Sequence, residues 1–211
     1  MLRQLVLFSL LLIANVAHSH PHAWVSLTSD FVINEQTELY EVRQRWIFDP
    51  FYSLVILDDL RKQYTDDELA LRMQADQIVN NLQALGYYSH LSLNSQPIDL
   101  GRPYKWHMST ATVGDDEIMI LEMLFSVSPI SLINHQVEWT VFDPTYYVSM
   151  RHDAIDYIRI INASSAECEP QLIEPTPTDE QIMLASSLDK TQTSTEGLGE
   201  IFAQRSTIQC F

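Results

Sequence analysis

The sequence predicts an α+β protein: mainly antiparallel sheet, one long helix and a helical C-terminal arm pinned by a disulfide. Three observations lead there. Short stretches of alternating apolar and polar residues recur along the first three quarters of the chain. One long stretch, from Leu69 to Leu85, repeats its apolar residues at helical spacing. Two cysteines, Cys168 and Cys210, lie near the end, the second inside a strand-like run.

The elements follow in order. "AWVSLTSDFVI" (23–33) and "ELYEVRQRWIF" (38–48) alternate in part, and Asn34-Glu35-Gln36 between them suits a turn, so a β-hairpin is expected. A short apolar segment after Pro50, residues 50–60, reads as helix. Thr65-Asp66-Asp67-Glu68 has the spacing of a capping box with Thr65 as N-cap, and Gly86 ends the helix it opens. Strands are expected at 87–93, 104–113, 117–127, 135–142 and 154–161, with Gly114-Asp115-Asp116 as a hairpin turn. Residues 163–178 carry three prolines and few large apolar side chains, and read as a surface loop. Helix is expected at 179–188 and near Gly197 and Gly199, and "STIQC" (206–210) as a last strand.

The first 19 residues have the layout of a cleaved secretory signal. Arg3 supplies a positive charge, Leu5 to Ile13 an apolar run too short to span a bilayer, and Ala17-His18-Ser19 the small residues a signal peptidase reads. Cleavage after Ser19 leaves one domain, residues 20–211, exported to the periplasm. No later segment is apolar enough to span a membrane, so no membrane insertion is expected after cleavage. Loss of the signal removes one charged side chain, Arg3, and moves the net charge from −16 to −17. Such a surface repels nucleic acid and anionic lipid. In an oxidising compartment the two cysteines are expected to form a bridge. It would close a loop of about 43 residues, for which the chain-entropy model allows roughly 4 kcal/mol at most.

Candidate chemistry begins at the cut. His20-Pro21-His22 would carry a free α-amine beside the His20 imidazole, with a third nitrogen donor on His22. Imidazole suits zinc, nickel and copper. Pro21 lacks an N–H, which excludes the square-planar amino-terminal copper and nickel site. "WIFDPFYS" (46–53) recurs in part as "TVFDPTYYVS" (140–149), sharing Phe-Asp-Pro-x-Tyr. Trp46 and Trp139 fall at different offsets from the two copies, which argues against a duplication. Asp49 and Asp143 are therefore open to two roles: caps of the following backbone, or oxygen ligands joining the histidines. His107 and His152 are weaker metal candidates, His135 is weaker still, and His90 reads as a surface residue. No Gly-x-Ser-x-Gly, phosphate-cradling loop or His-Glu-x-x-His is present, and no enzymatic activity is expected.

The signal, "HPHAWV", "RWIFDPFYS", "VFDPTYYVSM", a cysteine at 168 and a final "STIQC", taken in that order, resemble a bacterial family of unknown function described as the periplasmic component of an uncharacterised ABC-type transport system. The resemblance covers nearly the whole mature chain. The family is linked with nickel, cobalt and zinc transporters, which implies divalent-metal handling and a membrane transporter as partner. Relatives carrying a calcium-type acidic loop before the long helix differ from this chain, whose "DDLRKQYTDDEL" keeps acids without the loop. The expected function is thus periplasmic binding of zinc or nickel for a transport system. The alternatives are a protein-interaction module without a metal site, and a copper enzyme built on a terminal-histidine chelate.

Overall fold

The computed structural model describes residues 21, 23–187 and 197–211. Residues 1–19, expected to form a signal, and the candidate ligands His20 and His22 lie outside the described residues. The chain forms β1 (Ala23–Ile33), β2 (Glu38–Phe48), α1 (Pro50–Gln63), α2 (Asp67–Leu82), β3 (Ser89–Leu93), β4 (Gln96–Ile98), β5 (Lys105–Val113), β6 (Asp116–Ser131), β7 (Gln136–Val141), β8 (Val148–Arg151), β9 (Ile158–Asn162), β10 (Cys168–Ile173), α3 (Asp179–Ser187), α4 (Leu198–Ile201) and β11 (Arg205–Cys210). The expected α+β class and its extensive antiparallel pairing are present. The expectation of one long helix is corrected: α1 and α2 are comparable, at 14 and 16 residues.

Two sheets build the core. The first runs β5-β6-β2-β1-β8, with β9 also pairing β1; the second runs β10-β11-β7-β3-β4. In the first sheet β1, β2, β5 and β6 are antiparallel, whereas β8 and β9 lie parallel to β1 along one edge, one after the other. Period-two alternation sends Val25, Leu27, Ser29 and Phe31 inward with Trp46, Val42, Leu121, Met123 and Phe125, all buried. Trp139 of β7 meets that face. Its ring stands edge-on to Phe31 at 6.0 Å, and its Nε1–H donates to Ser29 Oγ at 3.1 Å. The solvent side of the same sheet carries ion pairs instead, Arg45 with Glu122 and Arg159 with Asp30.

Several local expectations are corrected. The N-cap of α2 is Asp66, whose carboxylate accepts from Leu69 N–H at 3.1 Å, rather than Thr65. The strand expected at 154–161 starts at Ile158, after a single 3-10 turn at Ile155–Tyr157. The segment read as loop contains β10, whose ladder with β11 sets Cys168 opposite Cys210. Those cysteines form the expected disulfide. The prolines hid β10 because they lower strand propensity; as an edge strand it tolerates Pro170. At the end of α2, Gly86, Tyr87 and Tyr88 all take left-handed φ, at 57°, 57° and 56°. That is costly for the two tyrosines. It turns the chain into β3 two residues later than the alternation suggests.

Candidate functional site

The two Phe-Asp-Pro corners meet at the start of β1. In the first, Asp49 ends β2 and caps α1, with Pro50 in the first helical position where no N–H is needed. Asp49 Oδ1 accepts from Tyr52 N–H at 2.8 Å, and Oδ2 accepts from Trp24 N–H at 3.1 Å. Asp49 N–H in turn donates to the Trp24 carbonyl at 3.1 Å. Asp49 thus clasps β1 one residue after Ala23.

The second corner is built differently. Asp143 is 3% exposed. Its Oδ1 accepts from Thr145 N–H at 2.9 Å and Thr145 Oγ1–H at 2.8 Å, and its Oδ2 accepts from the N–H groups of Tyr147 and Val148, both at 3.0 Å. It opens no helix. Tyr146 takes φ 57° and the chain enters β8, where Val148 pairs with Ala23. The motif that repeats in sequence therefore adopts two conformations, and its tyrosines diverge. Tyr52 turns inward beside Phe48, their rings stacked at 5.3 Å. Tyr146 instead stacks on Phe202 at 4.3 Å, and the exposed Tyr147 borders the space beside Tyr52. Gly199 in α4 closes over this corner, where a Cβ would fall 1.8 Å from the Asp143 carbonyl oxygen.

Between the corners lies a cavity of about 230 Å³, lined by Ala23, Trp46, Phe48, Tyr52, Tyr88 and Tyr147 among others. Burial, then the Asp49 charge, raises the Tyr52 pKa. Burial, then Asp143, pushes Tyr88 up to about 12. Both hydroxyls stay protonated at neutral pH. The reading of single residues missed this cavity; of the two tyrosines in the repeated Phe-Asp-Pro-x-Tyr motif only Tyr52 lines it.

The remaining histidines are dispersed. His107 is exposed on the edge strand β5 and lines a groove with Glu68 and Asp76, where Asp76 accepts the Trp106 indole N–H at 2.7 Å. His152 sits at the opposite edge, in the break between β8 and β9. Four strand spacings separate those edges, about 19 Å, so the two histidines do not share a site. The His152 ring is buried with Nε2 2.9 Å from Ser29 Oγ and no partner on Nδ1 among the described residues. Desolvation lowers its pKa to about 4. This Ser–His pair is closed to substrate, since Ser29 is fully buried behind Trp139. His135 Nδ1 lies 3.1 Å from the Ser131 carbonyl oxygen, and exposed His90 stacks on Phe142 at 4.6 Å. Among the described residues no group of three His, Cys, Asp or Glu side chains is placed to hold a metal ion. The donor chemistry at the corners is uneven. Among the described residues each Asp49 oxygen takes one hydrogen bond and has one acceptor position left, whereas both Asp143 oxygens already take two.

A family model described as "Protein of unknown function (DUF1007)" matches residues 5–210. The chain belongs to that family. It is also 29% identical over 201 residues, 91% of each chain, to an "Uncharacterized protein" of Haemophilus influenzae. No helix among the described residues is long and apolar enough to cross a membrane.

Proposed function

We propose that the protein is a periplasmic accessory of a transport system and binds a divalent transition metal, zinc or nickel, through its N-terminal histidines. The observation that supports this reading best is the clasp of Asp49 on Trp24. It places a carboxylate, with acceptor positions open among the described residues, at the first residues of β1, which His22 precedes directly in the chain. His20, His22 and Asp49 are then the ligands, two imidazoles and one oxygen, with the α-amine of His20 completing the set. Asp143, with its acceptor positions filled, positions the second corner and the start of β8 rather than the ion. His107 and His152 stand outside the site.

Calorimetry of protein beginning at His20, against zinc, nickel and copper, tests the reading. Saturable binding is expected. His22→Ala and Asp49→Asn each weaken it at least about tenfold, a loss of roughly 1.4 kcal/mol. Absence of saturable binding, or variants with unchanged affinity, refutes it. A second reading, a protein-interaction module, has one observation in its favour. Phe51, Leu54 and Val55 form an exposed apolar stripe on α1 at 75, 64 and 43% exposure. Retained metal binding by a Phe51→Ser, Leu54→Ser double variant that has lost its transport phenotype would assign that stripe to docking on the transporter.

A further inference from the structure

We propose that the cavity between the two Phe-Asp-Pro corners is a binding site for a small organic cation of the quaternary or methylated ammonium class. This goes beyond the metal reading and does not depend on it.

The walls carry the argument. Trp46 and Tyr88 stack at 6.1 Å with 12° between their planes, and Phe48 and Tyr52 stack at 5.3 Å with 20°. The two stacks are turned against each other, Trp46 to Phe48 at 72°, so they form two walls of a corner. Tyr147, 47% exposed, stands at the rim. Five aromatic rings thus line one cavity of about 230 Å³. For scale, an apolar protein cavity near 150 Å³ accommodates benzene. No Lys, Arg or His is among the described lining residues, and two carboxylates adjoin the lining: Asp49 accepts from Tyr52 N–H, and Asp143 from the N–H groups of Tyr147 and Val148. Aromatic faces attract a cation through their quadrupole, most strongly when it sheds little hydration on binding. A methylated ammonium meets both conditions, since its charge is spread over an apolar shell that fits an apolar cavity.

The backbone points the same way. Tyr88 reaches the cavity through consecutive left-handed residues, and Tyr147 follows another at Tyr146. Strain of this kind persists where the surroundings hold a side chain in place, and it concentrates at ligand sites.

The test uses the chain from His20 onward in EDTA-containing buffer at about 0.15 M salt, where attraction between well-separated exposed charges is largely screened. The probes are choline and its neutral isostere 3,3-dimethylbutan-1-ol, titrated by calorimetry and tryptophan fluorescence. Saturable choline binding at least about tenfold tighter than binding of the alcohol is expected. Tyr147→Leu, at the exposed rim where folding is least at risk, should weaken choline at least about fivefold, and Tyr147→Phe should leave it within about twofold. Equal affinity for the two probes reduces the cavity to a plain apolar pocket and overturns the proposal. So does absence of saturable binding at millimolar choline, or binding gained only after residues 20–22 are deleted, which would assign the cavity to the chain's own N-terminus. Because metal is chelated throughout, failure here leaves the metal reading untouched.

Discussion

Replacing Asp143 by Asn separates the structural role of the second corner from any role in binding. The carboxylate accepts four hydrogen bonds, from Thr145 N–H, Thr145 Oγ1–H, Tyr147 N–H and Val148 N–H. An amide keeps one oxygen and turns the other position into a donor. With the nitrogen at the Oδ2 position the Tyr147 and Val148 N–H groups face an NH2 group; at the Oδ1 position the Thr145 N–H does, while Thr145 Oγ1 can turn to accept, so at least one backbone donor loses its acceptor. At 3% exposure water does not replace it. A buried donor left unpaired costs about 1–3 kcal/mol, so the variant should lose roughly 2 kcal/mol, above the ~1 kcal/mol of an ordinary cap. The assay is urea unfolding followed by far-UV circular dichroism, where the midpoint falls and the slope is unchanged. Metal affinity of the folded variant should be unchanged. A loss below about 1 kcal/mol would refute the hydrogen-bond accounting. A tenfold loss of metal affinity in a fully folded variant would return Asp143 to the ligand set.

Further outcomes follow from other sites. Asp49→Asn should cost only about 1 kcal/mol of apo stability, because Asn caps a helix as well as Asp and only the Trp24 N–H is stranded; a larger unfolding shift would contradict this. His152 has a folded pKa near 4 against an ordinary 6.5, so the unfolded state binds its proton more tightly. Its contribution is complete above pH 6.5 and is lost as pH falls toward 4, by up to about 3 kcal/mol, and His152→Gln should flatten the stability profile across that window. Gly199→Ala drives a methyl group into the Asp143 carbonyl and should cost at least about 1–3 kcal/mol, read as a lowered melting temperature; an unchanged value would show that α4 does not pack on that corner. Thiol labelling of denatured, unreduced protein should find neither Cys168 nor Cys210 reactive, and reduction should cost no more than about 4 kcal/mol.

The sequence by itself determined the β1–β2 hairpin, both early helices and the Cys168–Cys210 bridge. Each is a local pattern or a pairing with a single solution: alternation around Asn34-Glu35-Gln36, helical spacing from Leu69, two cysteines and no others. It also marked Asp49 and Asp143 as residues with a task, because a carboxylate before proline ends a strand and faces unpaired N–H groups. What it left open is long-range. Whether Pro170 lies in a loop or an edge strand depends on β11 lying alongside. His152 resembles a ligand in sequence and becomes a buried partner of Ser29 only because β8 and β9 break on the flank of β1. The two Phe-Asp-Pro copies look alike, and only the packed chain makes one a helix cap and the other a closed knot of backbone hydrogen bonds. The aromatic cavity between them belongs wholly to the tertiary structure. Its rings come from β2, α1, the turn after α2 and the stretch before β8, segments that carry no shared signal until the sheet brings them around Ala23.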